Sequence, residues 1–351
     1  MCVLDLFSGC GGFSLGFCWA GFSSGVAFDV WQPAVDTFNF NIGGCVCKDI
    51  KMVSDSWLEE YGASHRVLGV IGSPPCQGFS VAGKRNIGDK RNSLYMEFVR
   101  VVSIVKPLFF VLENVKGLLA MEDGFFKEDI IERFTRLGYN VNYEVLRASD
   151  YGVPQNRERV FFVGLNRDFF DDTFFEFPRG VGGNVITTSE ALSDLPRLDM
   201  GDDPSCYCCK PVNEYQRFMR KNSSSVYNND ITHHKEKTKK IVSMIPDGGS
   251  IKDLPPEYYN VRKYDQAFNR MNSNKPSKTI DCGHRNYFHY KENRVPTVRE
   301  CARLQSFPDD FIFKGTKTNQ YTQVGNAVPP LLAYHLAITL KKYLHDVNIN
   351  I

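Results

Sequence analysis

The clearest indication of the fold is in the stretch CVLDLFSGCGGFSLGFCWA, residues 2–20. It contains an apolar run at 3–7, a glycine-rich turn at 8–12 and an amphipathic segment at 13–20. Short apolar runs that end at turn residues are typical of buried strands, and apolar residues spaced by three and four are typical of helices. The stretch therefore predicts a strand, a tight turn and a helix, in that order.

The same alternation continues through the first half of the chain. Further strands are predicted over 25–29, 67–72, 108–113, 140–146 and 160–164, and helices over 32–41, 93–105 and 125–137. This repetition predicts an α/β fold with a doubly wound, mostly parallel sheet, whose ligands bind at the carboxyl ends of the strands. From about residue 178 the pattern gives way to segments rich in Gly, Ser and Asn, and a last helix is predicted over 331–344.

The composition is that of an ordinary globular protein. The chain has 351 residues, of which 42% are hydrophobic and 23% are charged, so it can bury a core and form two domains, or one large domain carrying an insertion. Disorder and fibrous structure are excluded. No run approaches the roughly 20 apolar residues of a membrane span, and we expect neither a signal peptide nor an anchor. The 11 cysteines are scattered through the chain, which favours a reducing compartment.

The charge is distributed unevenly along the chain. The whole sequence carries a net charge of +2, whereas residues 205–300 alone carry +8 and residues 1–150 carry −3. A basic block in an otherwise slightly acidic protein indicates a segment that faces phosphate groups. A solvated lysine-rich surface would look similar and stays an alternative.

The glycine-rich turn is the first candidate ligand site. Its glycines lack the G-x-G-x-x-G spacing of dinucleotide enzymes, and no lysine follows to bind a phosphate, so the turn favours a nucleoside without phosphates. Asp29 ends the next predicted strand, where a carboxylate can accept ribose hydroxyls. Asp49, followed by Ile50, stands where a further strand should end, and its carboxylate could accept from an adenine amino group. Taken singly, each aspartate fits a turn former or a helix cap equally well.

A second motif, GSPPCQGFS at residues 72–80, follows a predicted buried strand. Two prolines make this turn rigid and place Cys76 at the strand's carboxyl end, as a nucleophile requires. The alternative is a buried packing cysteine. Glu113 ends the next strand and can face the same pocket, because neighbouring ends of a parallel sheet converge. In the motif QNRER, residues 155–159, alternation would direct Arg157 and Arg159 to one side of an extended strand.

Six motifs in order resemble those of the DNA (cytosine-5)-methyltransferases, of the type found in bacterial restriction–modification systems. They are DLFSGCGG (5–12), GSPPCQGFS (72–80), ENV (113–115), QNRER (155–159), RECARLQSFP (299–308) and QVGNAVP (323–329). The resemblance implies the S-adenosylmethionine-dependent methyltransferase fold with a small inserted target-recognition domain. We accordingly expect a catalytic and cofactor-binding domain at 1–177, a target-recognition domain at 178–318, and a C-terminal segment at 319–351 that returns to the catalytic domain.

The resemblance also implies a reaction. The Cys76 thiolate attacks carbon 6 of cytosine, carbon 5 takes the methyl group of S-adenosylmethionine, and elimination of Cys76 restores the ring. Glu113 holds the exocyclic amine and nitrogen 3, and Arg159 binds the carbonyl at ring position 2. A free thiol is only a few per cent ionised at neutral pH, so Arg157 or a helix N-terminus is expected to favour the thiolate.

The cofactor residues that the resemblance implies lie in several motifs. They are Asp5, Phe7, Gly9, Cys10, Gly11, Gly12, Asp29, Val30, Asp49, Ile50, Pro74, Leu94, Asn326 and Ala327. Asp29 is a departure, because the family more often has glutamate there.

For DNA, the resemblance implies a flipped base with a polar loop, 81–92, closing over the phosphates. Its candidate contacts are Lys84, Arg85 and Arg91, and Thr279 matches a short signature of recognition domains. No metal is expected, because Cys206, Cys208 and Cys209 lack a fourth ligand at finger-like spacing.

Two other functions stay open. The tRNA-methylating branch of the family uses the same pocket, but its Cys-Phe-Thr tripeptide is absent and Gly78 replaces its usual proline. A catalytically silent DNA-binding relative would not need every chemical residue, yet all are present. We expect the protein to bind duplex DNA and no membrane. We expect it to be a monomer in the bacterial cytoplasm, or inside a host cell if it is viral. The target sequence and any cognate restriction endonuclease are left open.

Overall fold

The computed structural model describes residues 2–75, 94–183, 185–261, 268–282 and 287–349. The chain divides into two compact units. Unit 1 comprises Met1–Arg147, Glu158–Gly180 and Leu332–Ile351, and unit 2 comprises Ala148–Arg157 and Val181–Leu331. The division differs from the predicted domains at 148–157 and 319–331, which belong to unit 2, and at 178–180, which belong to unit 1. The functional domains stay a prediction.

Unit 1 is built on a sheet of seven strands. They are β1 (Cys2–Leu6), β2 (Ser23–Asp29), β3 (Cys45–Cys47), β4 (Val67–Gly72), β5 (Phe109–Val115), β6 (Tyr139–Arg147) and, after the short β7 (Gln155–Asn156) of unit 2, β8 (Glu158–Asn166). Their order is β3-β2-β1-β4-β5-β8-β6. The pairs among β1 to β5 are parallel, whereas β8 runs antiparallel to both of its neighbours. The mostly parallel sheet predicted from the sequence is confirmed.

Helices cover both faces of this sheet. They are α1 (Gly12–Trp19), α2 (Gln32–Asn41), α3 (Asp55–His65), α4 (Leu94–Val105), α5 (Phe125–Arg136) and the short α6 (Arg167–Phe170). Successive residues of β5 point to opposite faces. Phe110 stacks on Phe134 of α5 with ring centroids 3.9 Å apart, while Phe109 stacks on Phe17 of α1 at 6.3 Å. The doubly wound arrangement therefore follows from apolar residues on both faces of each central strand.

Some elements of unit 1 carry little sequence pattern. The strand expected to end at Asp49 corresponds to the short β3, whereas α3 and α6 were not predicted. In β3 only Cys45 is buried, and in α3 only Leu58 is buried. An element that buries so little carries no apolar periodicity. The reversed direction of β8 also has no sequence signal, because an apolar run reads the same in either direction.

Unit 2 has little regular structure. Its helices are α7 (Thr188–Leu192), α8 (Glu214–Met219), α9 (Glu236–Met244), α10 (Val298–Leu304) and α11 (Lys317–Asn326), and its other strands are β9 (Asn269–Arg270), β10 (Ser277–Lys278) and β11 (Tyr287–Phe288). The helix α12 (Pro330–Asp346) begins in unit 2 and continues in unit 1. Strand β10 pairs with β7, and β11 pairs with β9, both in parallel.

Buried ion pairs help to hold unit 2 together. Arg303 is fully buried, and its guanidinium donates to Asp309 at 2.6 Å and to Asp194 at 2.9 Å. Buried charges of this kind add no apolar period to the sequence, and the described strands of unit 2 have only two residues each, so the strand–helix pattern is weak after about residue 178. In the described part of the chain, no helix is long and apolar enough to cross a membrane.

Candidate active site

The turn after β1 has an unusual backbone. Phe7, Gly9 and Gly11 have φ angles of +58°, +53° and +98°. The left-handed region is accessible to glycine and costly for phenylalanine, so the chain holds Phe7 there against a local preference. Backbone strain of this kind clusters at ligand sites. The predicted glycine turn is present, and it leads directly into α1.

Asp5 lies under this turn, with 1% of its surface exposed. The Ser14 hydroxyl of α1 donates to its Oδ2 at 2.6 Å, which ties the helix to the strand. Among the described residues, its other oxygen, Oδ1, has no hydrogen-bond partner. Burial raises the pKa of Asp5 to about 7, so the carboxyl group titrates near neutrality.

Asp29 fastens the turn to the end of β2. Its Oδ2 accepts from the backbone N–H of Gly9 at 2.8 Å, and its Oδ1 accepts from that of Trp31 at 2.8 Å. Burial raises the pKa of Asp29. Each carboxylate oxygen has a second lone pair, so these backbone bonds leave room for the ribose hydroxyls. The role in binding ribose stays a prediction.

The Asp49–Ile50 turn follows β3. Asp49 Oδ1 accepts from the backbone N–H of Lys51 at 3.0 Å and caps the 3-10 turn Ile50–Met52. Ile50 is buried, whereas Val30, another predicted cofactor residue, is 67% exposed.

Arg100 of α4 holds this turn, and it has no signal in the sequence because it is one polar residue of an amphipathic helix. Its Nη2 donates to the Ile50 carbonyl at 2.9 Å, and its Nη1 to Asp55 at 2.5 Å. Its Nε donates to Glu97 at 2.8 Å. One guanidinium thus joins α4 to a turn that is predicted to bind the cofactor.

Pro74 follows β4 and stands two positions before Cys76 in the sequence. Asn114 of β5, which is 5% exposed, donates from Nδ2 to the Pro74 carbonyl at 3.2 Å. Asn114 stands inside the ENV motif, but nothing in the sequence indicates that it bonds to Pro74. Cys76, with Lys84, Arg85 and Arg91, falls in 76–93, outside the described residues. Leu94 is the first residue of α4.

The structure brings Glu113 and Arg159 together. Strands β5 and β8 are antiparallel neighbours, with Val115 opposite Arg159, so Glu113 is its diagonal neighbour. Arg159 Nε lies 3.0 Å from Glu113 Oε1, and the two side chains are 17% and 8% exposed. Arg159 Nη1 also donates to the Glu158 carbonyl at 2.8 Å. A charge-assisted contact in this shielded position is stronger and better ordered than a surface ion pair.

The remaining predicted residues belong to unit 2. Arg157 is 1% exposed and stands between β7 and β8, so the single extended strand predicted across QNRER does not form. Thr279 is exposed, and its hydroxyl donates to the Asn156 carbonyl at 3.2 Å. Asn326 is the exposed last residue of α11, and Ala327 is its C-cap. Within the described ranges, no three His, Cys, Asp or Glu side chains are grouped so as to hold a metal.

Comparisons with known proteins agree on one family. The profile of the C-5 cytosine-specific DNA methylases matches residues 1–342. The type II methyltransferase M.DdeI of Desulfomicrobium norvegicum is 39% identical over 377 residues, covering 99% of this chain and 90% of the relative. M1.HphI of Haemophilus parahaemolyticus is 40% identical over 350 residues, covering 97% of this chain and 86% of the relative.

Comparison with solved structures shows that the chain is also similar to known methyltransferases in its fold. A prophage-encoded protein from E. coli, described as a DNA modification methyltransferase, superposes with a TM-score of 0.83 at 28% identity, covering 98% of this chain and 99% of that one. The Dnmt2 methyltransferase of S. pombe shares only the fold, with a TM-score of 0.60 at 18% identity. The relatives support methylation of cytosine in DNA and not the tRNA alternative. The chain thus belongs to the C-5 cytosine-specific DNA methylase family and is a DNA (cytosine-5)-methyltransferase.

Proposed function

We propose that this enzyme transfers the methyl group of S-adenosylmethionine to carbon 5 of one cytosine in a specific duplex DNA sequence. The transfer proceeds by base flipping and a covalent adduct with Cys76. The observation that supports this most directly is the shielded Glu113–Arg159 pair on the adjacent strands β5 and β8, next to Asn114, which donates to the Pro74 carbonyl. A carboxyl group and a guanidinium side by side match the edge of cytosine, where the amine, nitrogen 3 and the carbonyl follow one another.

The residues of the glycine turn fit a cofactor that is a nucleoside with a cationic tail. The left-handed backbone opens the turn, and the unbonded Oδ1 of buried Asp5 offers a carboxylate to a cation. Asp29 would accept from the ribose, the Asp49–Ile50 turn would bind adenine, and Asn326 would bind the methionine end. S-adenosylmethionine, when bound, supplies the electrophilic methyl group.

The chemistry then divides among three side chains. The Cys76 sulfur forms a bond to carbon 6, which gives carbon 5 the enamine character it needs to accept a methyl group. Glu113 holds the amine and, protonated or sharing a proton, stabilises the charge that develops at nitrogen 3, while Arg159 binds the carbonyl. Loss of the carbon 5 proton and cleavage of the sulfur–carbon bond restore the aromatic ring and free the thiolate.

The substrate is duplex DNA, bound through the basic block at 205–300 and the loop at 81–92. Taking the base out of the stack costs a few kcal/mol, which phosphate contacts must offset. We assign the enzyme to a restriction–modification system, in which methylation protects DNA from a cognate endonuclease, and place it in the cytoplasm as a monomer.

The test begins with the chain expressed in a host that lacks cytosine methylation. Bisulfite sequencing of a plasmid should show one methylated sequence context. Cys76→Ser should abolish methylation and keep cofactor affinity within a few-fold, while Cys206→Ser, at an exposed cysteine, should methylate normally. DNA with 5-fluorocytosine should trap the wild type covalently, because fluorine blocks elimination. Methylation by Cys76→Ser at a tenth of the wild-type rate would contradict the covalent mechanism.

A further inference from the structure

Two buried glutamines of unit 2 form one hydrogen-bonded pair. Gln155, from the QNRER motif, and Gln305, from the RECARLQSFP motif, are both 0% exposed. Gln155 Nε2 donates to Gln305 Oε1 and, at 3.1 Å, to the Leu304 carbonyl. The pair joins two motifs that lie 150 positions apart in the sequence.

The Gln155 end of the pair holds the segment that contains Thr279. Gln155 Oε1 accepts from the backbone N–H of Ile280 at 3.0 Å. The backbone of Gln155 also pairs with Ser277, in the parallel pairing of β7 and β10. The recognition signature is therefore fixed to Gln155 through both its side chain and its main chain.

The Gln305 end holds the last turn of α11. Gln305 Nε2 donates to the Ala327 carbonyl at 2.7 Å and to the Val324 carbonyl at 3.2 Å. These two residues flank Asn326. Every polar atom of both amides is bonded, and a fully satisfied buried network of this kind fixes one arrangement of the backbone.

The two segments that the network holds also touch each other directly. Gly325 packs so closely that a Cβ there would lie 2.3 Å from the Asp281 carbonyl oxygen. The Cys282 thiol donates to Asn326 Oδ1 at 2.6 Å. The end of α11 and the segment that follows Thr279 are thus in contact over several residues, independently of the glutamines.

We propose that Gln155 and Gln305 are positioning residues that couple target recognition to cofactor binding. The coupling runs from the segment 277–282, through the two amides, to Val324–Ala327. This inference rests on the proposed function, which assigns the first segment to DNA and the second to the cofactor. The network makes the two segments move together, so binding at either end favours the arrangement of the other segment that the second ligand needs. By linkage, DNA tightens cofactor binding by the same factor as the cofactor tightens DNA binding.

The experiment uses the full chain and a duplex oligonucleotide carrying the sequence mapped by bisulfite sequencing. The dissociation constant of S-adenosylhomocysteine is measured by calorimetry with and without the duplex, and the ratio of the two values is the coupling factor. We expect the wild-type factor to exceed ten, and Gln305→Met to reduce it about fivefold, the equivalent of one neutral hydrogen bond. Gln155→Met should do the same. The double variant should lose no more than either single one, because both residues act in one network.

A matched control separates coupling from simple loss of stability. Gln216 is also a fully buried glutamine of unit 2, and its amide bonds Glu190, Ser193 and Val212, which lie in neither segment. Gln216→Met should lower the melting temperature as Gln305→Met does, with the coupling factor unchanged.

If the methionine variants fail to fold, Gln305→Asn provides the same test. Its amide is neutral and polar, but the side chain is one methylene shorter and cannot reach both Gln155 and the carbonyls of α11. A wild-type factor near one, an unchanged factor in every folded variant, or an equal loss in Gln216→Met would overturn the proposal. A wild type that methylates no DNA would instead refute the proposed function.

Discussion

The buried carboxyl group of Asp5 makes stability depend on pH in a way that one substitution removes. Burial raises its pKa from 3.8 to about 7. A carboxyl whose folded pKa lies above its unfolded value binds a proton more tightly when folded. Its contribution to stability is therefore full below pH 3.8 and is lost as the pH rises through about 7. At about 1.4 kcal/mol per pH unit, the total loss is about 4 kcal/mol, of which about 2.5 kcal/mol falls between pH 5 and pH 8.

Asp5→Asn keeps the shape and the acceptor for the Ser14 hydroxyl, but it cannot ionise. The free energy of unfolding of this variant, relative to that of the wild type, should increase by about 2.5 kcal/mol between pH 5 and pH 8. Urea unfolding followed by circular dichroism measures this at each pH. Asp36→Asn, at an exposed position of α2, is the control for the change in net charge. A difference between Asp5→Asn and the wild type that stays constant from pH 5 to pH 8 would refute the assignment of the titrating group.

The effect of Asp5→Asn on cofactor affinity should be opposite to its effect on stability. A cationic cofactor favours the ionised form of Asp5, so in the wild type S-adenosylmethionine should bind more tightly as the pH rises through about 7. In Asp5→Asn that dependence should be absent. A variant that is more stable and binds less well would identify Asp5 as a residue at which stability is sacrificed for function.

Four other substitutions or exchanges test contacts and charge in the two units. Asn114→Ala removes the bond to Pro74 and should lower single-turnover methylation about 10- to 100-fold with cofactor affinity unchanged, because small displacements of a nucleophile are costly. Arg100→Lys cannot bridge to Ile50 and should raise KM for the cofactor about fivefold with kcat within twofold, as steady-state kinetics would show. Alanine at three lysines of α9 should reduce the slope of log Kd against log salt by about one for each phosphate that is no longer bound, and an unchanged slope would move the DNA surface elsewhere. These lysines are Lys237, Lys239 and Lys240. Grafting residues 205–280 into a relative of known specificity should transfer target choice, and a chimera that keeps the recipient's site would place specificity elsewhere.

The part of the fold that the sequence predicted is the part with apolar periodicity. Strands such as β4 and helices such as α5 were predicted to within two residues, because buried strands and amphipathic helices carry distinct periods. In contrast, α3 buries only Leu58 and was missed. The interior of unit 2 contains Arg303 with two aspartates, and no pattern of hydrophobicity indicates a core of that kind.

The candidate site also contains residues that the sequence indicates and residues that only the structure reveals. Motif residues such as Glu113 and Arg159 were found in the sequence, and the structure adds that they form an ion pair on adjacent strands. Arg100 and Gln305 could not be assigned, because their roles depend on backbone carbonyls that only the folded chain brings within reach. A sequence gives the side chains, but it does not show which backbone carbonyl groups the fold brings close to them.

The QNRER motif shows why that difference matters for mechanism. As one extended strand, it would direct Arg157 and Arg159 to the same side. Instead the chain passes from unit 2 to unit 1 between Arg157 and Glu158. Gln155 is bound into the network around α11, while Arg159 is bound to Glu113 of the central sheet. Five consecutive residues therefore make contacts in both units, so a shift of register in this segment would disturb the network around α11 and the Glu113–Arg159 pair together. The role proposed for Arg159 thus depends on the path of the backbone through the whole motif.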